Sequence, residues 1–389
     1  MSPRSPRLSG KIFYFLSMTG QEAYIALNMM EDIGPVGVRS LIEILGSPQE
    51  IFTADREKMM EAHGVGTAAV DRIIEQRRNL CPADEMQRAA GLGVEIVTPA
   101  DERYPKSLAK IHDPPLALYV KGDLLPADRH AVGVVGSRHA TVYGRETAES
   151  LAYQLAHAGF TVVSGLARGI DTAAHKGALK ARGGRTLAVL GGGIDEIYPP
   201  ENFALAEQIS KNGAVISEFP IGKKPDKTTF PVRNRIISGL SSGVVVVEAG
   251  LTSGALITAN QALEQGRSVF AVPGRIDSPA SKGAHTLIKN GARLVESVDD
   301  ILQEFEFLIP RPKHEECRTG EMFPPLDENE KKIVLALEEG ELSVDEIIRQ
   351  TGIGANLIGA ILLGLEMKRM IKLQPGRMVH LMRPADRSQ

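Results

Sequence analysis

The chain has 389 residues, 43% of them hydrophobic and 24% charged, and a formal net charge of −3 at neutral pH. That length predicts two or three domains, and the charge balance excludes a protein coated in basic residues, so a nucleic-acid site must be a local patch. No apolar run reaches the roughly 18 residues of a membrane span, and the segment Lys11 to Leu16 lacks the pattern of a secretory signal.

A cytoplasmic protein without a membrane partner is expected. The two cysteines, Cys81 and Cys317, lie far apart and argue against a disulfide framework or a structural zinc site. Neither a metal nor a cofactor is expected.

Residues 1–10 hold two prolines and two arginines without apolar periodicity and read as disordered. Residues 11–90 read as a helical domain. Within it, Ile33 to Leu45 and His63 to Glu75 each run from a glycine-containing turn into an apolar-periodic helix, the helix-hairpin-helix (SAM-like) pattern. Such turns can present helix N-terminal amides to a phosphate. The second has no basic residue before Arg72, which favours packing over DNA contact.

From Gly93 short β-rich runs appear, Val94 to Thr98 and Leu116 to Val120, read as extra strands joined to a larger sheet. A long alternation of buried strand and helix follows to residue 310. Strands apolar throughout and separated by helices predict a mostly parallel sheet covered on both faces. Residues 91–310 are therefore an α/β, Rossmann-type doubly wound domain.

Residues 311–325 carry prolines and mixed charge and read as a linker. Residues 326–384 give three helices, Asp327 to Glu338, Ser343 to Gln350 and Ala355 to Lys368, then a hairpin across Pro375-Gly376, which together spell a winged helix. Its third helix is mostly apolar and shows basic residues only at Lys368 and Arg369, whereas a major-groove helix needs a polar or basic face. Protein contact or structural packing is the favoured role.

In a doubly wound sheet, ligands lie beyond the carboxyl ends of the strands. After the first core strand, GVVGSRHATVYG supplies a glycine turn, a Ser137 hydroxyl and Arg138, which can pair with phosphate. A full dinucleotide fingerprint and its acidic partner are missing, since the second strand ends in Ser164-Gly165. Arg168 follows as a candidate phosphate ligand. Asp171 and His175, four residues apart, favour a structural hydrogen bond over an acid/base pair. Gly191 to Asn202 reads as a tight turn and cap.

The segment GKKPDKTTFPVRNRIISG gathers Lys223, Lys224, Lys227, Arg233 and Arg235 around Phe230. Basic groups track phosphates and an aromatic ring stacks on a base, at about 1–3 kcal/mol per base with little sequence preference. The same pattern also fits a solvated basic loop leading into a core helix with Phe230 buried. Thr252, Ser253 and Gly254 then open another helix in an anion-receptive arrangement, and Glu248 reads as an anchor for that loop.

Taken in order, GSR at Gly136, SGLARGID at Ser164, GGGID-x-IYP-x-EN at Gly191, FPVRNRIISGL at Phe230, SGALITA at Ser253 and VFAVPG at Val269 resemble the DNA-processing (DprA/Smf) family across residues 95–295. The resemblance implies a non-catalytic protein that binds and protects single-stranded DNA during natural transformation, loads the RecA recombinase, and forms homodimers through its Rossmann core. It places the DNA pocket on Ser137, Arg138, Ser164, Gly165, Lys227, Phe230, Arg233 and Asn234. Arg138 and Lys227 would take phosphates and Phe230 a base.

The strongest alternative is a nucleotide-binding Rossmann enzyme of the phosphoribohydrolase type. Its PGG-x-GT-x-x-E motif is absent, and Glu248 lies ahead of the glycine loop instead of behind it. A regulator acting through its winged helix would require sequence-specific duplex binding, which the apolar third helix disfavours.

Overall fold

A computed structural model describes residues 18–305, 327–337, 341–367, 370–374 and 378–381. The expectations for residues 1–10, Lys11 to Leu16, the 311–325 linker, Cys317, Lys368, Arg369 and the Pro375-Gly376 turn lie outside these residues. Two compact units divide the chain between Ile309 and Pro310.

The first unit opens with helices α1 (Gly20–Asn28), α2 (Pro35–Leu45), α3 (Arg56–Met59), α4 (Thr67–Gln76) and α5 (Pro82–Gly91). Helix α1 starts in a capping box of Thr19 and Glu22, and α2 begins with Pro35 and ends at Gly46, whose φ of 94° needs a residue without Cβ. Leu27, Val38, Leu41, Ile51, Met59, Val70 and Ile73 form the helical core. Arg39 donates to the carbonyl of His112, and Arg72 pairs with Asp32, so both basic groups of the two turns have protein partners.

The helices are joined to the sheet by directed contacts. Gln21 Nε2 donates to the Ile96 carbonyl at 2.9 Å and Asn28 Nδ2 to the Glu218 carbonyl at 2.9 Å. Buried Glu85 of α5 accepts from the Tyr119 hydroxyl at 3.0 Å and from the backbone N–H of Ile221 at 2.8 Å. The helical segment and the α/β segment are thus one compact unit.

The α/β segment comprises β1 (Glu95–Val97), β2 (Leu118–Gly122), β3 (Ala131–Val135), α6 (Val142–His157), β4 (Thr161–Ser164), α7 (Ile170–Lys180), β5 (Thr186–Val189), α8 (Phe203–Asn212) and β6 (Gly213–Ser217). It continues with α9 (Thr229–Leu240), β7 (Gly243–Val246), α10 (Gly254–Glu264), β8 (Ser268–Ala271), α11 (Lys282–Lys289), β9 (Arg293–Leu294) and α12 (Asp299–Leu302). The strand order is β1-β2-β6-β5-β4-β3-β7-β8-β9. Seven strands from β6 to β9 run parallel, and β1 and β2 extend the β6 edge antiparallel.

Each central strand is buried on both faces because its side chains alternate between two apolar layers. Val135, Val163, Leu187, Val189, Val244 and Val246 pack under α9, α10 and α11. Val132, Val134, Val162 and Val245 pack under α6 and α7, and Ala188 and Val215 under α8. Helices α6 and α7 approach closely through alanines. A Cβ on Gly177 would stand 2.1 Å from the Glu149 carbonyl oxygen, so this crossing requires glycine.

The second unit holds α13 (Glu328–Leu337), β10 (Leu342–Ser343), α14 (Val344–Thr351), α15 (Ala355–Met367), β11 (Ile371–Gln374) and β12 (Met378–Leu381). The three strands form an antiparallel sheet ordered β10-β12-β11, and Ile333, Leu337, Ile347, Leu362, Leu365 and Val379 fill the core. This is a winged helix. Leu357 on its third helix is exposed.

Asp171 and His175 do not bond to each other. Asp171 Oδ2 accepts from the Gly165 N–H at 3.1 Å, while His175 Nδ1 meets Thr186 Oγ1 at 2.7 Å. The Thr186 hydroxyl gives its one proton to the Val162 carbonyl, so Nδ1 of His175 is the donor. Burial, reinforced by the nearby Arg233 charge, pushes the imidazole down to about 3. The folded pKa lies below the unfolded value of about 6.5, so folding favours neutral His175 and this contribution to stability is lost as pH falls from about 6.5 toward 3. Histidine-selective NMR should find His175 neutral from pH 8 to below 5; titration near 6.5 would contradict its buried placement.

Candidate nucleic-acid interface

The parallel order reverses at β3, which has β4 on one side and β7 on the other, and a crevice opens beyond the carboxyl ends of these strands. A cavity of about 490 Å³ occupies it. Its walls are the turn after β3 (Gly136, Ser137, Arg138), the start of α9 with its preceding loop (Lys227, Phe230, Arg233, Asn234) and the start of α10 (Thr252, Ser253, Gly254). Nine of the expected site residues therefore meet in one cavity.

The turn that carries Arg138 is fixed from both ends. A Cβ on Gly136 would stand 2.5 Å from Ile170 Cγ1 and 2.8 Å from the Glu248 carbonyl oxygen, so only glycine lets the chain pass between them. Ser137 N–H donates to the Glu248 carbonyl at 2.7 Å. The Glu248 carboxylate accepts from Thr141 N–H at 2.9 Å and Thr141 Oγ1 at 2.6 Å, and that hydroxyl caps α6 by accepting from Gly144 N–H at 3.0 Å. Glu248 is thus an anchor, but of the turn after β3 and not of the loop before α10 that its place in the sequence suggested.

Phe230 is held in a half-buried seat. Thr229 Oγ1 donates to the Gly191 carbonyl, and the ring lies against Gly191, where a Cβ would come within 2.6 Å of Phe230 Cδ1. Asp226 fixes the start of α9 by accepting from the N–H groups of Thr228 and Thr229. The Arg138 guanidinium stands over the Phe230 ring, 4.6 Å from its centroid, a cation–π distance.

The basic residues fall into distinct environments. Among the described residues, neither Arg138 nor Lys227 makes an ion pair, and both line the cavity. Arg233 is only 4% exposed. Its Nη1 donates to the carbonyls of Gly165 at 2.7 Å and of Val189, and Nε to Asn234 Oδ1 at 3.1 Å. Burial pulls this guanidinium down to about 10, with the Asp171 carboxylate opposing the shift. Arg233 therefore forms a positively charged floor.

Ser253 Oγ accepts from Ala255 N–H at 3.3 Å, which caps α10 at the cavity edge. Thr252 is exposed beside it.

Four expected site residues stand elsewhere. Arg235 is buried between Glu218, at 2.6 Å, and Asp113, at 2.8 Å, and is a core ion pair instead of a pocket cation. Burial pushes the Glu218 carboxyl up and the Arg235 charge opposes that shift. Ser164 is fully buried and donates to the Val134 carbonyl at 2.6 Å, leaving no hydroxyl hydrogen for a ligand. Gly165 lies beneath Arg233 with both backbone groups bonded. Arg168 is exposed but pairs with Glu201, outside the main cavity. Tyr198, within the Gly191 to Asn202 turn and not among the expected site residues, lines a narrow crevice with Arg138, Arg168 and Phe230.

A family model for DNA recombination-mediator protein A matches residues 95–306. A protein named Smf from Synechocystis is 34% identical, with 92% of this chain and 97% of that protein covered. The chain belongs to the DNA recombination-mediator protein A family.

The other matches place the flanking parts of this family member. A winged-helix domain model named for DprA matches residues 323–377 and a SAM-like helix-hairpin-helix tandem residues 24–79. The DNA processing protein DprA of Bacillus subtilis is 46% identical over 54% of this chain and 71% of its own length. The crystal structure of DNA processing protein A from Streptococcus pneumoniae is similar with a TM-score of 0.65 and 36% identity, over 75% of this chain and 99% of that one.

Among the described residues, no helix is long and apolar enough to cross a membrane, and no group of three His, Cys, Asp or Glu side chains could hold a metal ion. Replacing Arg235 with Met should leave Glu218 unpaired and lower stability by about 3–5 kcal/mol, measured by urea unfolding. Unchanged stability would show that the buried pair does not hold α9 in place.

Proposed function

We propose that this protein binds single-stranded DNA in the cavity at the β3–β7 switch point, without catalysis, and hands it to a RecA-type recombinase during DNA uptake. The observation that carries the reading is the pairing of unsatisfied cations with an aromatic ring. Arg138 and Lys227 line the cavity without protein counter-ions, and Phe230 lies under Arg138. Phosphates recruit the cations and a base stacks at the ring.

In this reading Arg138 leaves the Phe230 face, or sandwiches the incoming base against it, as its charge turns to a phosphate. Arg233 supplies fixed positive charge from below without touching solvent, and the capped α10 start adds oriented amides. Family membership supports recombinase loading and a homodimer built on the Rossmann core. It also supports a cytoplasmic site of action and the division into an 11–90 helical domain, a 91–310 DNA-binding domain and a 326–384 winged helix.

Arg138→Ala and Lys227→Ala should each weaken binding of an oligothymidylate and reduce the slope of log affinity against log salt by about 0.7, the value for one phosphate contact on a single strand. Gly191→Ala, which pushes Phe230 from its seat without changing charge, should weaken binding with the slope retained. Fluorescence anisotropy over a salt series checks both. Wild-type slopes in the two charge variants would remove these residues from the phosphate path.

A further inference from the structure

The turn after β5 places a second aromatic beside the first. Tyr198 is 41% exposed, although it lies between buried Ile194 and buried Leu205 in the chain. Its ring centroid is 5.9 Å from that of Phe230, with an interplanar angle of 44°. The Arg168 guanidinium stands 5.8 Å from the Tyr198 centroid, so each ring has its own arginine. Arg138 lines both the main cavity and the crevice shared by Tyr198 and Phe230.

We propose that Tyr198 is a second nucleobase platform, taking the base next to the one on Phe230, and that the angle between the two rings favours single strands over duplex. This rests on the single-strand reading of the main cavity. Neighbouring bases in a duplex are parallel, with a rise of ~3.4 Å, and have their edges paired. Two platforms inclined at 44° cannot both face parallel bases, so a strand that uses both must unstack between them. A single strand does this at small cost, whereas a duplex must also give up pairing.

Arg168 stands by Tyr198 as Arg138 stands by Phe230, but farther from the ring centroid, at 5.8 Å against 4.6 Å. Its exposed bond to Glu201 is a surface ion pair, which contributes little and yields readily to a phosphate. The sequence assignment of Arg168 to DNA thus returns at this second subsite instead of in the main cavity.

The chain contains no tryptophan, so Tyr198→Trp creates a unique fluorescent reporter at the platform. This variant is titrated with an oligothymidylate and with an abasic strand of equal length, and anisotropy of labelled DNA reports binding independently. The expected result is fluorescence quenching that saturates together with anisotropy for the oligothymidylate, and binding without quenching for the abasic strand.

Tyr198→Ala should lower affinity by about 5- to 150-fold, the range for one stacked base, with an unchanged salt slope. Tyr198→Phe, which keeps the ring, should restore it. Wild-type affinity in Tyr198→Ala, or binding to Tyr198→Trp without any change in fluorescence, overturns the second platform while leaving the main cavity standing. Failure of the unsubstituted protein to bind the oligothymidylate overturns both.

Discussion

The site depends on Glu248, which ties together the two strands that flank the switch point. Its carbonyl receives the Ser137 N–H and its carboxylate receives both donors of Thr141. A parallel sheet opens a crevice where its order reverses, but the crevice alone does not orient a side chain. Glu248 turns the end of β3 into a rigid lip, and Arg138 is presented from that lip over Phe230. Gly136 and Gly144 are required by the same anchor. A Cβ on Gly144 would come within 2.4 Å of the Glu248 carboxylate.

Desolvation sorts the basic residues of α9 and its approach. A buried guanidinium must be paired or bonded to several carbonyls, and the structure uses each solution once. Arg235 takes Glu218, just after β6, and Asp113, in the loop before β2, which tie α9 to both segments. Arg233 takes carbonyls from the ends of β4 and β5 and remains close enough to the cavity to act through space. Lys227, in the loop before α9 and exposed, keeps its charge for a ligand. A net charge of −3 is therefore compatible with a local cationic surface.

The fold was legible because its signals are periodic and redundant. Apolar strands such as Gly243 to Val246, alternating with helices, specify a covered parallel sheet, and Pro35 and Gly46 mark the ends of α2. The cavity was legible through local motifs at strand ends, which the topology necessarily brings together. Side-chain burial was not legible. Arg233 and Arg235 are two residues apart on one helix, and nothing local states that one meets Glu218 across the sheet while the other meets the Gly165 carbonyl. Tyr198 was missed because turn residues dominate its surroundings; an aromatic at a glycine-rich strand end was the available signal.

The most direct test of the central claim is hydrogen exchange of the full chain with and without a saturating oligothymidylate. Bound DNA should protect the turn at 136–139, the start of α9 at 227–234 and the start of α10 at 251–255 together, since all three line one cavity. Protection confined to the turns before α2 and α4, or to the winged helix, would place the DNA elsewhere and contradict the account.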